Sequence, residues 1–255
     1  MPYVDLNCDL GESFGAYTIG TDAEIIPLIT SANVACGWHG GDPLVMEQTV
    51  RLCARAGVGI GAHPSYPDLR GFGRRVMAVS ADEARTDTIY QIGALNAFCT
   101  AAGVPLRHVK PHGALYNTMA KDERLARAVC EGIRAVSDKL IVVALAGSPV
   151  LTIAHELGLK TCSEVFADRG YRDDGSLVPR NEPGAMITDT AEAVSRVVRM
   201  ACSGEVVTQT GKTIALRADS ICVHGDGAHA LAFAGAIRDG LADAGVSLRP
   251  MWQTL

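Results

Sequence analysis

The sequence predicts an α/β barrel of about seven βα units. Short apolar segments alternate with amphipathic segments, which is typical of a parallel sheet with helical crossovers. Polar clusters follow almost every apolar segment, whereas an open doubly wound sheet would gather them at one switch point. A length of 255 residues with 48% hydrophobic content suits one large core. We therefore predict a single domain over residues 1–255.

Seven strands are predicted from apolar runs short enough to be covered on both faces. In chain order they are Val4–Cys8, Ser31–Ala35, Gly57–Ala62, Arg107–Lys110, Leu140–Leu145, Lys160–Phe166 and Ser220–Val223. Helices are predicted between them from capping and stop signals. They cover Pro43–Ala56, Ala81–Gly103, Glu123–Val136, Ser148–Leu157, Asp189–Ala201 and Ala228–Ala244. The β-branched residues around Thr210-Gly211-Lys212 predict a hairpin insertion near residues 205–217.

Charge and hydropathy exclude several classes of partner. The net charge of −5 comes without a basic stripe, which argues against nucleic acid and against anionic lipid. The longest apolar run, Leu140–Ala146, is far shorter than the roughly 20 residues that span a bilayer. The eight cysteines are scattered without a C-x-x-C pair, which favours reduced, buried thiols. We expect a soluble, cytoplasmic protein that acts on a small molecule.

The first predicted strand carries three polar residues on one face. Asp5, Asn7 and Asp9 alternate with apolar residues, so their side chains point the same way. A solvated edge strand would explain the pattern, but a first strand in a parallel sheet is normally covered. We therefore predict that the three residues face the barrel interior. Glu12, in the loop that follows, is near enough to join them.

Two histidines follow the second and third predicted strands. His39 and His63, together with Asp9, would make a two-His, one-carboxylate set suited to a divalent metal. The three residues come from different strands, so no short-spacing motif supports the set. Hydrogen bonding or proton transfer is the alternative role for each histidine.

Two pairs of residues spaced two apart follow later strands, and such pairs point the same way in an extended segment. Lys110 and His112 flank a proline that holds Lys110 out of the helical region. Lys110 would bind an anion, act as nucleophile or base, or form a structural ion pair. His224 and Asp226 form the second pair, and Asp226 alternatively caps the last helix.

A third cluster follows the sixth predicted strand. Glu164 and Asp168 offer carboxylates for acid–base chemistry, and Arg169 offers a guanidinium for recognition of a carboxylate. The sequence contains no G-x-x-x-x-G-K-[ST] or G-x-G-x-x-G motif, so a nucleotide loop of the Walker or dinucleotide type is absent.

Six of these segments resemble the motifs of one known family. They are D-L-N-C-D-L-G-E from Asp5, N-V-A-C-G-W-H-G-G-D-P from Asn33, G-A-H-P-S-Y-P-D-L-R-G-F-G-R-R from Gly61, V-K-P-H-G-A-L-Y-N from Val109, E-V-F-A-D-R-G-Y from Glu164 and C-V-H-G-D from Cys222. In this order they resemble the LamB/YcsF family, and the long element from Gly61 is specific. The resemblance implies a distorted seven-stranded β/α (TIM-like) barrel of the glycoside hydrolase/deacetylase type.

The resemblance also implies an activity, namely ATP-dependent hydrolysis of 5-oxo-L-proline to L-glutamate together with two partner subunits. ATP would then be a co-substrate, and the missing nucleotide loop suggests that the partners bind it. Under this hypothesis Lys110 or Arg169 holds the substrate carboxylate, and Asp9, Glu164 or Asp226 activates water. His112 or His224 moves protons. The substrate-binding candidates are Asn7, Glu12, Asp168 and Arg169.

Two other functions stay open on the residues alone. A metal-dependent amide or carbohydrate deacetylase would use Asp9, His39 and His63 as ligands of a divalent ion. A non-catalytic subunit that captures a cyclic amide, or that scaffolds its partners, is the alternative of another class. The number of polar residues at strand ends favours an enzyme.

Overall fold

The computed structural model describes residues 2–224 and 230–255, and it describes His224 by its backbone alone. Its core is a closed barrel of seven parallel strands, which confirms the predicted fold class. These strands are β1 (Tyr3–Leu10), β2 (Ser31–Ala35), β3 (Gly59–His63), β4 (Leu106–Val109), β5 (Ile141–Leu145), β6 (Lys160–Phe166) and β9 (Ser220–His224). Each pairs in parallel with the next, and β9 closes the barrel by pairing with both β6 and β1.

Three further strands lie outside the barrel in the described residues. A hairpin of β7 (Glu205–Val207) and β8 (Thr213–Ala215) stands within the insertion that the sequence predicts. The short strand β10 (Ser247–Leu248) pairs with the start of β1. Two residues of strand give no periodicity, so the sequence did not predict β10.

The helices surround the barrel. In the described residues they are α1 (Asp22–Ile25), α2 (Pro43–Ala56), α3 (Ala81–Ala101), α4 (Gly113–Met119), α5 (Glu123–Val136), α6 (Pro149–Glu156), α7 (Thr190–Ser203) and α8 (Ala230–Asp243). The Asp42 side chain caps α2, and Ser80 with Glu83 forms the expected capping box of α3. Helices α1 and α4 were not predicted, because each is too short to show a helical hydrophobic period. None of the described helices is long and apolar enough to cross a membrane.

Polar residues fill the barrel interior in layers, as alternation along β1 predicts. Asp5 lies in the lowest layer, where it accepts hydrogen bonds from the hydroxyl groups of Ser31 and Ser220. Burial raises the pKa of Asp5, and these hydroxyl groups oppose that rise. Asn7 lies one layer higher and is fully buried. Asp9 lies above it, at the carboxyl end of the strands, so β1 carries polar groups along the barrel interior up to the end where the strands finish.

Gly61 leaves room for a buried imidazole ring inside the barrel. A Cβ atom at Gly61 would overlap the ring of His108, which is fully buried on β4. We expect Gly61→Ala to lower the free energy of unfolding by about 1–3 kcal/mol, since an overfilled core must shift. Denaturant unfolding measures the loss.

Gly93→Ala is the matched control for this prediction. Gly93 is exposed within α3, and a Cβ atom there would meet no atom within 4 Å. Alanine favours a helix over glycine by up to about 1 kcal/mol, so this variant should be as stable as the original or slightly more stable. Equal stability of the two variants would contradict the packing role of Gly61.

Candidate active site

A cavity of about 670 Å³ opens at the carboxyl ends of the barrel strands. Its floor is formed by Asp9, Glu12, His63, Lys110 and His112, which come from β1, β3, β4 and the loops that follow them. The aromatic rings of Tyr116 and Phe166 and the side chain of Leu145 form part of the wall, and Arg74, Lys121 and Arg180 line the cavity further out. Concave sites of this size with a few convergent polar groups suit small molecules. The carboxyl end is also where β/α barrels place their active sites.

Lys110 lies at the centre of the floor as a buried cation. Its Nζ atom is 2.9 Å from Asp9 Oδ1 and 2.8 Å from Glu164 Oε1, and it also donates to the Sγ atom of Cys222. Burial alone would lower the pKa of Lys110, but Asp9 and Glu164 outweigh burial and raise that pKa well above its usual value. Lys110 is therefore a fixed positive charge, which favours its predicted ion-pair or anion-binding role over that of nucleophile or base.

Glu164 forms an ion pair with Lys110 from inside the barrel. The fully buried carboxylate of Glu164 accepts hydrogen bonds from the Tyr116 hydroxyl group at 2.8 Å and from Asn7 Nδ2 at 3.0 Å. Burial, followed by the Glu164 charge, raises the pKa of Tyr116 well above its usual value, so Tyr116 stays a hydrogen-bond donor. Glu164 is not among the residues that line the cavity. This geometry favours a positioning role for Glu164 over the predicted activation of water, which stays a prediction.

A chain of hydrogen bonds fixes Asp9 from below. His108 Nε2 lies 2.8 Å from Asn33 Oδ1, and the Asn33 amide donates to Asn7 Oδ1 at 2.7 Å and to Asp9 Oδ1 at 2.9 Å. Burial, with Lys110 second, lowers the pKa of His108 to about 3, so this imidazole is neutral and donates to Asn33. The predicted substrate residue Asn7 therefore lies beneath the floor and supports it.

His63 and His112 face each other across the floor, each tied to a backbone carbonyl group. His63 Nδ1 is 2.6 Å from the Lys110 carbonyl oxygen, and His112 Nε2 is 2.9 Å from that of Phe72. The remaining ring nitrogens, His63 Nε2 and His112 Nδ1, lie 3.0 Å apart. Asp9 Oδ2 is 3.3 Å from His63 Nε2. Burial, followed by His39, lowers the pKa of His112 well below its usual value.

Glu12 and His39 complete the cluster. Glu12 Oε1 lies 3.1 Å from His39 Nε2 and 3.5 Å from His112 Nδ1. The rings of His39 and His112 are stacked, with centroids 3.8 Å apart and planes 3° from parallel. Ligand atoms of Glu12, His39, His63 and His112 all lie within 4.8 Å of one another, so the cluster could hold a metal ion.

The predicted site residues after β6 occupy other positions. The guanidinium group of Arg169 donates to the carbonyl oxygens of Ala185 and Val178, although Arg169 also lines the cavity. These bonds commit much of the guanidinium to the loop backbone, which favours a loop-positioning role over capture of a substrate carboxylate. Asp168, predicted as a substrate-binding residue, is buried and is not one of the residues that line the cavity. The side chain of His224 and the whole of Asp226 lie outside the described residues.

Sequence reasoning missed three residues of the network, namely Asn33, His108 and Tyr116. His108 precedes Lys110 by two positions in an extended segment, so period-two alternation could have placed it on the same inward face. Asn33 likewise lies at the centre of a fully buried strand, where an amide side chain needs a partner. Tyr116 lies in α4, which begins just after His112. No sequence pattern links Tyr116 to Glu164, which is far away in the sequence.

Comparisons with known proteins agree with this architecture. A model of the LamB/YcsF family matches residues 4–255, nearly the whole chain. This chain belongs to the LamB/YcsF family. Two proteins named as the A subunit of 5-oxoprolinase, from Clostridium beijerinckii and Pyrococcus furiosus, are 55% and 56% identical to it over 248 residues, each alignment covering 97% of both chains. The LamB/YcsF chain is also similar to the crystal structure of a lactam utilization protein from Thermus thermophilus.

The structural similarity to the Thermus thermophilus protein is close. The TM-score is 0.93 at 47% identity, and the match covers 97% of this LamB/YcsF chain and 99% of the other. A putative cellobiose-phosphate cleavage protein from Enterococcus faecalis has a TM-score of 0.59 at 12% identity, with 99% and 98% coverage. The second likeness concerns the fold alone.

Proposed function

We propose that this chain is the A component of an ATP-dependent 5-oxoprolinase, which hydrolyses 5-oxo-L-proline to L-glutamate. The observation that carries the proposal is 55% identity to a protein named as the A subunit of 5-oxoprolinase, over 97% of both chains. The similarity to a lactam utilization protein supports it, since 5-oxoproline is a lactam. The name of the relatives as a subunit suggests partner chains, and we propose two of them. A cytoplasmic location stays a prediction.

The charges of the cavity suit a small cyclic amide that bears a carboxylate. Arg74, Lys121 and Arg180 line its outer part and would attract the carboxylate group. The apolar wall of Leu145 and Phe166 would pack against the ring methylene groups. The amide group would then lie over the floor, where Lys110 and Asp9 stand.

Ring opening requires stabilisation of an oxyanion and activation of a water molecule. Water adds to the lactam carbonyl carbon, the C–N bond breaks, and the ring nitrogen takes a proton to leave as the amine of glutamate. The three N–H groups of the Lys110 ammonium face Asp9, Glu164 and Cys222, so Lys110 would stabilise the negative charge that develops on the carbonyl oxygen through its positive charge at the cavity floor. Asp9 lines the cavity and would accept the proton of the attacking water, because its carboxylate is held beside His63.

ATP enters the proposal through the partner subunits. The sequence has no nucleotide loop of the Walker type, and a lactam is a stabilised amide whose opening benefits from coupling to ATP hydrolysis. We propose that the partners bind ATP and activate the amide, and that this chain provides the cavity in which the ring is opened.

Glutamate formation from 5-oxoproline and ATP tests the proposed function. The two partner subunits would be assayed with this chain present, with it omitted, and with a heat-denatured sample of it. Glutamate formed only with the folded chain supports an oxoprolinase component. Glutamate formed equally without it would contradict the proposal, and no glutamate under any condition would move the assignment to another amide or to an N-acetylated carbohydrate.

A further inference from the structure

We propose that Glu12, His63 and His112 form a binding site for one divalent transition-metal ion at the floor of the cavity. The proposal goes beyond the oxoprolinase assignment and is independent of it. It also differs from the ligand set that the sequence predicts, which was Asp9, His39 and His63. Each of the three proposed residues lines the cavity, so a bound ion would face the space that a substrate would occupy.

Two backbone carbonyl groups determine where the ring protons lie. A carbonyl oxygen only accepts hydrogen bonds, so His63 Nδ1, 2.6 Å from the Lys110 oxygen, carries a hydrogen atom. His112 Nε2, 2.9 Å from the Phe72 oxygen, carries one for the same reason. The ring nitrogens left to bind an ion are therefore His63 Nε2 and His112 Nδ1.

Those two nitrogens lie close together. The nitrogens are only 3.0 Å apart, and Glu12 Oε1 lies 3.5 Å from His112 Nδ1. Acceptor atoms gathered at this spacing need a positive charge between them, which is either a proton or a metal ion. Tetrahedral ligands with bonds of about 2.0–2.1 Å lie about 3.3–3.4 Å apart. These two distances bracket that value, and all ligand atoms of the cluster lie within 4.8 Å of one another, so one ion could contact all three residues after a local adjustment.

The surroundings of both histidines are those of metal ligands. A histidine that binds a metal commonly donates its other ring N–H to a carbonyl group, which fixes the ring orientation. His63 and His112 both do so. The carbonyl oxygen of Phe72 accepts the hydrogen bond from His112 Nε2. Phe72 has a φ of +54°, and among the described residues other than glycine it alone has a positive φ. A bulky residue in that conformation costs free energy, and such strain concentrates where it serves a site.

His39 supports the site without binding the ion. Its ring is stacked on that of His112 with centroids 3.8 Å apart, so the in-plane lone pairs of the two rings lie in separate, parallel planes. Its Nε2 atom lies 3.1 Å from Glu12 Oε1, where an N–H group would orient the carboxylate. Asp9 already accepts a hydrogen bond from Lys110 and lies beside His63. We therefore place Asp9 next to the ion, outside the set of three ligands.

The donor atoms indicate the class of ion. Two imidazole nitrogens and one carboxylate oxygen suit zinc and its neighbours among the divalent transition metals, whereas magnesium and calcium prefer oxygen ligands alone. Three protein ligands leave a fourth position open, which is typical of catalytic zinc sites.

Binding of Zn²⁺ and Co²⁺ to the full-length, chelator-treated chain tests the site, without 5-oxoproline, ATP or partner subunits. We expect one equivalent of Zn²⁺ by titration calorimetry and, with Co²⁺, a visible absorption band of tetrahedral type. His112→Gln should weaken binding by more than 100-fold and abolish the band. His39→Gln should weaken binding by about 10–100-fold, as loss of a residue that orients a ligand does. His155→Gln, which changes an exposed histidine on α6, is the control and should bind as the original chain does.

Absence of binding to the original chain would overturn the proposal and leave a proton between the two rings. Equal affinity in His112→Gln and His155→Gln would overturn it as well. If His112→Gln does not fold, Glu12→Gln provides the second test, because it keeps the shape of the side chain and removes its charge. Since the readout is ion binding, failure of the oxoprolinase assay leaves this result unaffected, and the reverse also holds.

Discussion

Asp9→Asn is expected to lower the rate of glutamate formation by about 10²–10⁴-fold, the range attributed to a positioned acid or base. The asparagine oxygen can still accept the hydrogen bonds that Asp9 Oδ1 receives from Asn33 at 2.9 Å and from Lys110 at 2.9 Å. The fold should therefore survive. What disappears is the negative charge beside His63 Nε2 and the basicity that an attacking water requires. The measurement is glutamate release by the complete set of subunits, with thermal unfolding of the variant alongside.

Asp243→Asn serves as the control for this experiment. Asp243 is exposed at the end of α8, so its change removes the same charge far from the cavity floor. We expect an unchanged rate in this control and a folded protein in both variants. A rate for folded Asp9→Asn within a few-fold of the control would remove Asp9 from the reaction and would favour a role for this chain in binding alone.

The polar face of β1 shows what the sequence could predict. Side chains alternate along a strand by local geometry, so the common direction of Asp5, Asn7 and Asp9 follows from their spacing alone. The strand order and the approach of Lys110 to the carboxyl end of β1 follow from the parallel barrel. Fold class was therefore predictable, and the cavity floor was predictable in part.

The partners of each side chain were not predictable, because they depend on the path of the loops. Arg169 follows a carboxylate in sequence, which suggests anion binding, yet its guanidinium group reaches the carbonyl oxygens of Val178 and Ala185. His39 and His63 belong to neighbouring strands, since His39 follows β2 and His63 ends β3. His112 comes from the segment after β4, and its ring contacts those of both other histidines. Only the three-dimensional structure shows that His112 Nδ1 lies 3.0 Å from His63 Nε2.

Lys110→Met is expected to lower the free energy of unfolding by about 3–5 kcal/mol, because removal of one partner leaves an uncompensated buried charge. The Lys110 side chain is 3% exposed and that of Glu164 is 0% exposed, so the methionine would leave the Glu164 carboxylate buried without a counter-charge. Lys139→Met is the matched control, since Lys139 is exposed, and it should change stability by less than about 0.5 kcal/mol. Denaturant unfolding of both variants measures the difference.

The double variant Lys110→Met with Glu164→Gln separates two contributions of Lys110 to the free energy of unfolding, that of its buried charge and that of its packing. The glutamine carbonyl group still accepts a hydrogen bond from Tyr116 or from Asn7, but it carries no charge that needs a cation. We expect the second change to restore about 1–3 kcal/mol, which is the coupling typical of residues in one network. Full recovery is not expected, since Asp9 keeps its charge 2.9 Å from the position of the missing ammonium group. Simple addition of the two single losses would show that Lys110 contributes through its packing, and that its charge is not what holds Glu164 and Asp9 in place.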